Sequence, residues 1–183
     1  MNWKKLRSEI VYQNNFFEIE QDQCEKPDGS LIEEYYIVKR PDVAVIAAFT
    51  PEMELIMITQ YRHPVQSIDF ELPAGHIDPN ENILEAAQRE LLEETGYKAE
   101  KLEQISAHFA SSGLMNNTVH FFIGFNAKKI QEQSLDPNEA IDVKITPWLE
   151  ALKLHEQGKV KDLGSAMGVL LAKEYLEKHA PKQ

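Results

Sequence analysis

The spacing of apolar residues changes several times along this chain, and each change marks an element. Glu9-Ile10-Val11-Tyr12, Phe16 to Glu25 and Leu31 to Val38 are rich in β-branched and aromatic residues, and Pro27-Asp28-Gly29 supplies a turn between the last two. Residues 1–41 are therefore expected to form a strand meander. Val43-Ala44-Val45-Ile46-Ala47-Ala48-Phe49 is instead almost continuously apolar, as expected of a strand covered on both faces. Leu55 to Tyr61 reads as its hairpin partner across Thr50-Pro51-Glu52. A helical period follows, from a start near Asn80 to Asn82 to a left-handed stop at Gly96, with Leu84, Ala87 and Leu91 on its packing stripe. Val119 to Phe125 and Ile141 to Ile145 supply later strands. Trp148 to Gln157 and Leu163 to His179 close the chain as amphipathic helices, each with a cap residue before it. No internal repeat, low-complexity tract or long linker interrupts this order, which predicts an α/β chain with a sandwiched sheet.

The polar side of the central helix is the informative one. Residues three and four apart lie side by side, so Glu90, Glu93 and Glu94 project together, away from the packing stripe. Like charges at that spacing cost roughly 0.2–0.5 kcal/mol per pair, and only Arg89 is near in sequence to offset them. A divalent cation reverses the sign. Carboxylate oxygens with room left for water and phosphate suit Mg²⁺ better than zinc. A solvated acidic face would explain a bare Arg-Glu-x-x-Glu-Glu string equally well. The full spacing is more demanding: Gly75-x5-Glu81-x7-Arg89-Glu90-Leu91-Leu92-Glu93-Glu94-Thr95-Gly96-Tyr97. Seven fixed identities at ordinary residue frequencies meet by chance on the order of once in 10⁸ starting positions, so coincidence is set aside.

Composition narrows the remaining choices. A chain of 183 residues suits a single domain with an N-terminal extension. Its longest apolar run, Val43 to Phe49, is too short to span a bilayer, and Met1-Asn2-Trp3-Lys4-Lys5 is followed by no apolar signal segment, so no membrane partner is expected and the cytoplasm is the expected location. The lone Cys24 makes no internal disulfide, in keeping with that setting. A formal charge of −11 argues against nucleic acid as a partner, which needs a basic stripe. An anionic substrate remains compatible if metal ions neutralise it locally. The six histidines show no ligand spacing, and no Walker loop, dinucleotide fingerprint or nucleophile-elbow serine is present.

The Gly75 to Tyr97 stretch resembles the Nudix box, Gly-x5-Glu-x7-Arg-Glu-U-x-Glu-Glu-x-Gly-U with U a bulky aliphatic residue, and departs from it only in Tyr97 at the last U. The resemblance implies an α/β/α Nudix sandwich with a mixed sheet over residues 42–183, behind an N-terminal antiparallel strand extension. It implies a hydrolase of nucleoside diphosphates linked to another group, using Mg²⁺ or Mn²⁺. Glu90 and Glu94 would be the principal metal ligands, with the Ala74 carbonyl completing the site, Glu93 a further or water-mediated contact, and Arg89 with Glu81 an orienting pair. Ile58-Thr59-Gln60-Tyr61-Arg62 and Glu71-Leu72-Pro73-Ala74-Gly75 look like the ADP-ribose and nucleoside-diphosphate-sugar pyrophosphatase branch, whose strand extension helps build a homodimer.

Within that branch Arg62, Glu71 and Gly75 are expected at the substrate, Arg62 gripping phosphate or sugar through its planar guanidinium and Gly75 permitting close approach. Phe16, Phe17 and Tyr36 could stack on a base or simply pack. The subgroup's usual Ser-Pro-Gly is Ser111-Ser112-Gly113 here, and Asn117 stands where a glutamate is common, so ADP-ribose and GDP-mannose both stay open. Glu139, on the segment Leu135 to Val143, is the expected catalytic base, with Asp136 the alternative. Other readings are hydrolysis of a dinucleoside polyphosphate or nucleoside triphosphate, and a non-catalytic nucleotide-sensing domain.

Overall fold

The computed structural model describes residues 2–179. Three strands open the chain: β1 (Lys4–Gln13), β2 (Glu18–Glu25) and β3 (Leu31–Lys39). Then come β4 (Val43–Ala48), β5 (Glu54–Arg62), β6 (Ser67–Glu71), β7 (Ala74–His76), α1 (Ile83–Thr95) and β8 (Tyr97–Lys98). The order ends with β9 (Lys101–Phe109), β10 (Thr118–Phe125), β11 (Lys128–Lys129), β12 (Ile141–Pro147), α2 (Trp148–Glu156) and α3 (Leu163–His179). Two compact units result. One runs through Asp42 and takes in His108–Thr118, and the other comprises Val43–Ala107 and continues from Val119.

In the first unit, β1, β2 and β3 form an antiparallel meander. Asn14 shapes its first turn by accepting from the Phe16 and Phe17 N–H groups at 2.7 and 2.9 Å, so β2 begins at Glu18 rather than Phe16. Phe17 stacks on Tyr12. The inner face of β2 is charged, with buried Glu20 and Asp22 both meeting Lys5, at 2.6 and 2.8 Å, and Glu20 also meeting Lys39 at 2.7 Å. Hydrogen bonds from Lys39, Lys5 and Ser8 hold the Glu20 carboxyl far below its usual range. The loop after β9 is fastened to this sheet by the Val38 N–H on the Leu114 carbonyl, 2.8 Å, and the Tyr35 hydroxyl on the Gly113 carbonyl, 3.0 Å.

The second unit is an α/β sandwich. Strand β4 lies between β7, antiparallel, and β10, parallel, in a mixed sheet of order β7-β4-β10-β9. Its alternate residues enter two cores. Val45, Ala47 and Phe49 pack with Ala151 of α2 and Val169 and Ala172 of α3, while Ala44, Ile46 and Ala48 pack with Ala86, Ala87 and Leu91 of α1. Both faces being apolar is why this segment lacks alternation. No helix among the described residues is long and apolar enough to cross a membrane.

The expected β4–β5 hairpin does not form. A tight turn is present, with the Thr50 N–H on the Glu54 carbonyl at 2.9 Å, but one bridge, Phe49 to Leu55, is all that joins the strands. β5 belongs to a second antiparallel sheet of order β12-β5-β6, since β4 has both edges filled by β7 and β10. Strands β6, β7, β8, β9 and β11 have no counterpart in the pattern reading. Leu84, expected on the packing stripe, is 42% exposed, because it sits in the first turn of α1 where Ile83 takes the inward place. α2 starts after Pro147 with no side-chain cap, whereas Asp162 caps α3 by accepting from the Ser165 N–H at 2.7 Å. α3 also departs from simple amphipathy: its buried positions are Ser165, Gly168, Val169 and Ala172, while Leu163 and Leu170 face out. Small residues let it lie close, and a Cβ on Gly168 would stand 2.6 Å from Leu72 Cδ1.

Gly96 ends α1 with φ of 76°, its N–H on the Leu92 carbonyl at 2.8 Å, and a Cβ there would run into the Gln131 carbonyl. Gly96→Ala is therefore expected to lower the unfolding free energy by about 1–3 kcal/mol, measured by urea denaturation.

Candidate active site

The site is built on the second half of α1 and the turn that precedes the helix. Asn82 caps the helix by accepting from Leu84 and Glu85 N–H groups at 2.9 and 3.4 Å, which fixes the rotation at which the acidic residues emerge. Arg89 then gathers them. Its Nε and Nη2 donate to Glu81 at 2.9 Å each, Nη2 also to the His76 carbonyl at 3.0 Å, and Nη1 to Glu90 at 2.7 Å and Glu93 at 3.1 Å. All five guanidinium N–H groups are engaged. Hydrogen bonding to Glu81 is the largest cause that raises the Arg89 pKa, and the same bond lowers that of Glu81.

Gly75 and Ala74 receive the other ends of the acidic residues. A Cβ at Gly75 would occupy the place of the Glu90 carboxylate, so glycine is what admits Glu90 against β7. The Ala74 N–H donates to Glu94 Oε2 at 2.9 Å. This amide contact is separate from the Ala74 carbonyl, which the family resemblance implies as a metal contact. Glu94 is only 4% exposed, and desolvation, helped by the charges of Glu90 and Glu139, pushes its carboxyl up to about 8 against the Ala74 bond. Burial also raises Glu90, opposed by Arg89.

A second arm comes from β5 and β6. Arg62 Nε and Nη2 meet the two Glu71 oxygens at 2.9 and 2.6 Å, and Gln60 Nε2 adds a bond of 3.1 Å. Glu71, expected at the substrate, is 2% exposed and accepts from Arg62 and Gln60, so in the structure its carboxylate holds Arg62. Arg62 is half-exposed, and its Nη1 lies outside the pair with Glu71. The intervening turn is pinned by α3: Ser165, buried, accepts the Leu72 N–H at 3.0 Å. Gln60 stood within the Gln-Tyr-Arg signature, whereas nothing near Ser165 in sequence signals this contact across 93 positions.

Glu139 is exposed on the loop before β12, in a turn where its N–H donates to the Asp136 carbonyl at 2.9 Å and its Oε2 accepts from the Asp136 N–H at 3.0 Å. Its charge reaches both Glu90 and Glu94. Glu93 is more open than either and turned toward Arg89. Among the described residues no three acidic, histidine or cysteine side chains converge to hold an ion unaided.

A family model described as the NUDIX domain matches residues 38–178, and one described as the nucleoside diphosphate sugar hydrolase N-terminal domain matches residues 3–38. The chain belongs to the Nudix hydrolase family. The ADP-ribose pyrophosphatase of Bacillus subtilis (strain 168) is 33% identical over 177 residues, 95% of each chain. The GDP-mannose pyrophosphatase of Yersinia enterocolitica is 26% identical over 171 residues, 87% of this chain and 88% of that one. A crystal structure of an ADP compounds hydrolase matches with a TM-score of 0.87 at 22% identity, covering 98% of this chain and 97% of that one, which speaks for the fold.

Nudix hydrolases generally need a divalent metal. The donor set fits one: Glu90 and Glu94 offer hard oxygens, and a buried carboxylate repelled by its neighbours gains from a cation. Two carboxylates leave the remaining positions to water, backbone and substrate, as magnesium sites commonly do.

The raised Glu94 pKa has a defined consequence for stability. Between about 4.5 and about 8 the metal-free folded protein keeps a proton that the unfolded chain has released, so stability falls as pH rises through that window and levels off above it. In chelator, wild-type denaturation midpoints are expected to fall across this range and those of Glu94→Gln to fall less. Adding a divalent cation above pH 8 is expected to stabilise the wild type more than the variant.

Proposed function

We propose that the protein is a Mg²⁺-dependent nucleoside-diphosphate-sugar pyrophosphatase that hydrolyses the phosphoanhydride of ADP-ribose, GDP-mannose or a similar compound. The carrying observation is that a nucleoside diphosphate sugar hydrolase N-terminal domain, residues 3–38, runs directly into a NUDIX domain whose box carboxylates are all present. Bound Mg²⁺ at Glu90 and Glu94 supplies neutralisation of the diphosphate and a more acidic water. Arg62, held by Glu71 and Gln60, points its remaining N–H groups at phosphate or sugar oxygens. Glu139 takes the proton of the attacking water. The water oxygen bonds to one phosphorus as the bridging P–O bond breaks, giving a nucleoside monophosphate and a sugar phosphate. Arg89 keeps Glu81, Glu90 and Glu93 in register throughout. A cytoplasmic setting, where a lone cysteine stays reduced, completes the reading.

Incubation of ADP-ribose, GDP-mannose, UDP-glucose and diadenosine compounds with enzyme and Mg²⁺, followed by mass analysis, is expected to show monophosphate and sugar phosphate from at least one of the nucleotide sugars. Preference for nucleoside triphosphates would overturn the assignment. Glu94→Gln is expected to lower turnover by about two orders of magnitude or more while the protein stays folded by circular dichroism.

A homodimer built through the N-terminal sheet belongs to the same proposal. Every residue of β1 is exposed at the edge of its sheet, and its apolar stretch Ile10-Val11-Tyr12, with Ile10 at 56%, offers an unpaired backbone edge and apolar side chains to another chain. Light scattering is expected to give twice the monomer mass for the wild type and a monomer for Ile10→Lys.

A further inference from the structure

The loop that carries Glu139 is fastened to the end of the metal-binding helix. The last carbonyls of an α-helix have no partner inside it, and in α1 several are met by this loop. Ile130 N–H donates to the Gly96 carbonyl at 2.9 Å, and Ser134 N–H to the Glu93 carbonyl at 2.8 Å. One side chain adds a different kind of link. Gln133 Nε2 donates to the Glu94 carbonyl at 2.6 Å and to the Ile141 carbonyl at 3.0 Å. A single amide nitrogen thus ties the backbone of a proposed metal ligand to the first residue of β12, closing the base of the loop.

Between these two anchors the chain makes the Asp136–Glu139 turn, whose own bonds set the direction of the Glu139 carboxylate relative to the turn. What sets the turn relative to Glu90 and Glu94 is the closure beneath it. We propose that Gln133 is a positioning residue for proton transfer: by clamping the Glu94 and Ile141 carbonyls it holds Glu139 over the metal-binding carboxylates. This rests on the reading of Glu139 as the base. Gln133 itself touches no reacting atom.

A residue that only supports the helix end would cost the same whatever stands at 139, so a double-mutant cycle separates the two roles. Gln133→Met keeps the side-chain volume and removes both donors. With ADP-ribose or GDP-mannose and saturating Mg²⁺, it is expected to lower kcat roughly tenfold and change KM less than about twofold, as a small misplacement of a reacting group does. In the Glu139→Gln background the further loss is expected to shrink below about twofold. An equal loss in both backgrounds overturns the positioning role alone. Full turnover in Glu139→Gln overturns the base assignment, and the role of Gln133 with it. Gln133→Ala, which leaves room for water at both carbonyls, carries the same cycle if Gln133→Met does not fold.

Discussion

The structure of this site depends on one cation. Arg89 spends every guanidinium N–H on Glu81, Glu90, Glu93 and the His76 carbonyl. Without it, three glutamates within five positions of one helix would repel one another. With it, Glu90 and Glu93 are fixed in orientation while the cluster still carries net negative charge. That residual charge is what makes the site useful for a cation, because a fully neutralised cluster would have no reason to bind one. Glu94 carries most of the tension: it lies outside the reach of the Arg89 bonds, is buried, and is met by an amide instead of a positive charge.

Around that centre the fold supplies rigid backing at several points. Gly75 on β7 leaves space for the Glu90 carboxylate, and Ala74 beside it presents an amide to Glu94. Leu72, two residues earlier, is held from behind by Ser165 on its N–H and by the bare Cα face of Gly168 against its side chain. Glu71 then reaches the other way and fixes Arg62. One short turn thus aligns Glu90 and Glu94 on one side with Arg62 on the other, and the small residues of α3 are what let that helix come close enough to hold it. The outward leucines of α3 follow from the same constraint.

Local patterns were legible where one element accounts for its own residues. The cap at Asn82, the stop at Gly96, the apolar run of β4 and the acidic face of α1 all follow from spacing within a few residues. The pairing of Arg89 with Glu81, implied by the family resemblance and not by local spacing, is present in the structure. Short strands escaped notice: β6 and β7 lie in a segment dense with polar and turn-forming residues, and their pairing is decided by which strand edges remain open. The β4–β5 hairpin failed for the same reason, since a turn signal says that the chain reverses and not which sheet it then joins.

The sequence by itself determined the family, the helix that bears the acidic residues and the identity of the groups with chemistry to offer, because those are fixed by side-chain type and helical spacing. Only the tertiary structure decided that Glu71 faces inward to Arg62, that Ala74 meets Glu94 through its amide, and that Gln133 and Ser165 brace the site from distant segments. Those contacts join positions that no local period relates. They exist because buried carbonyls, amides and carboxylates must each find a partner, and packing chooses which partner is within reach.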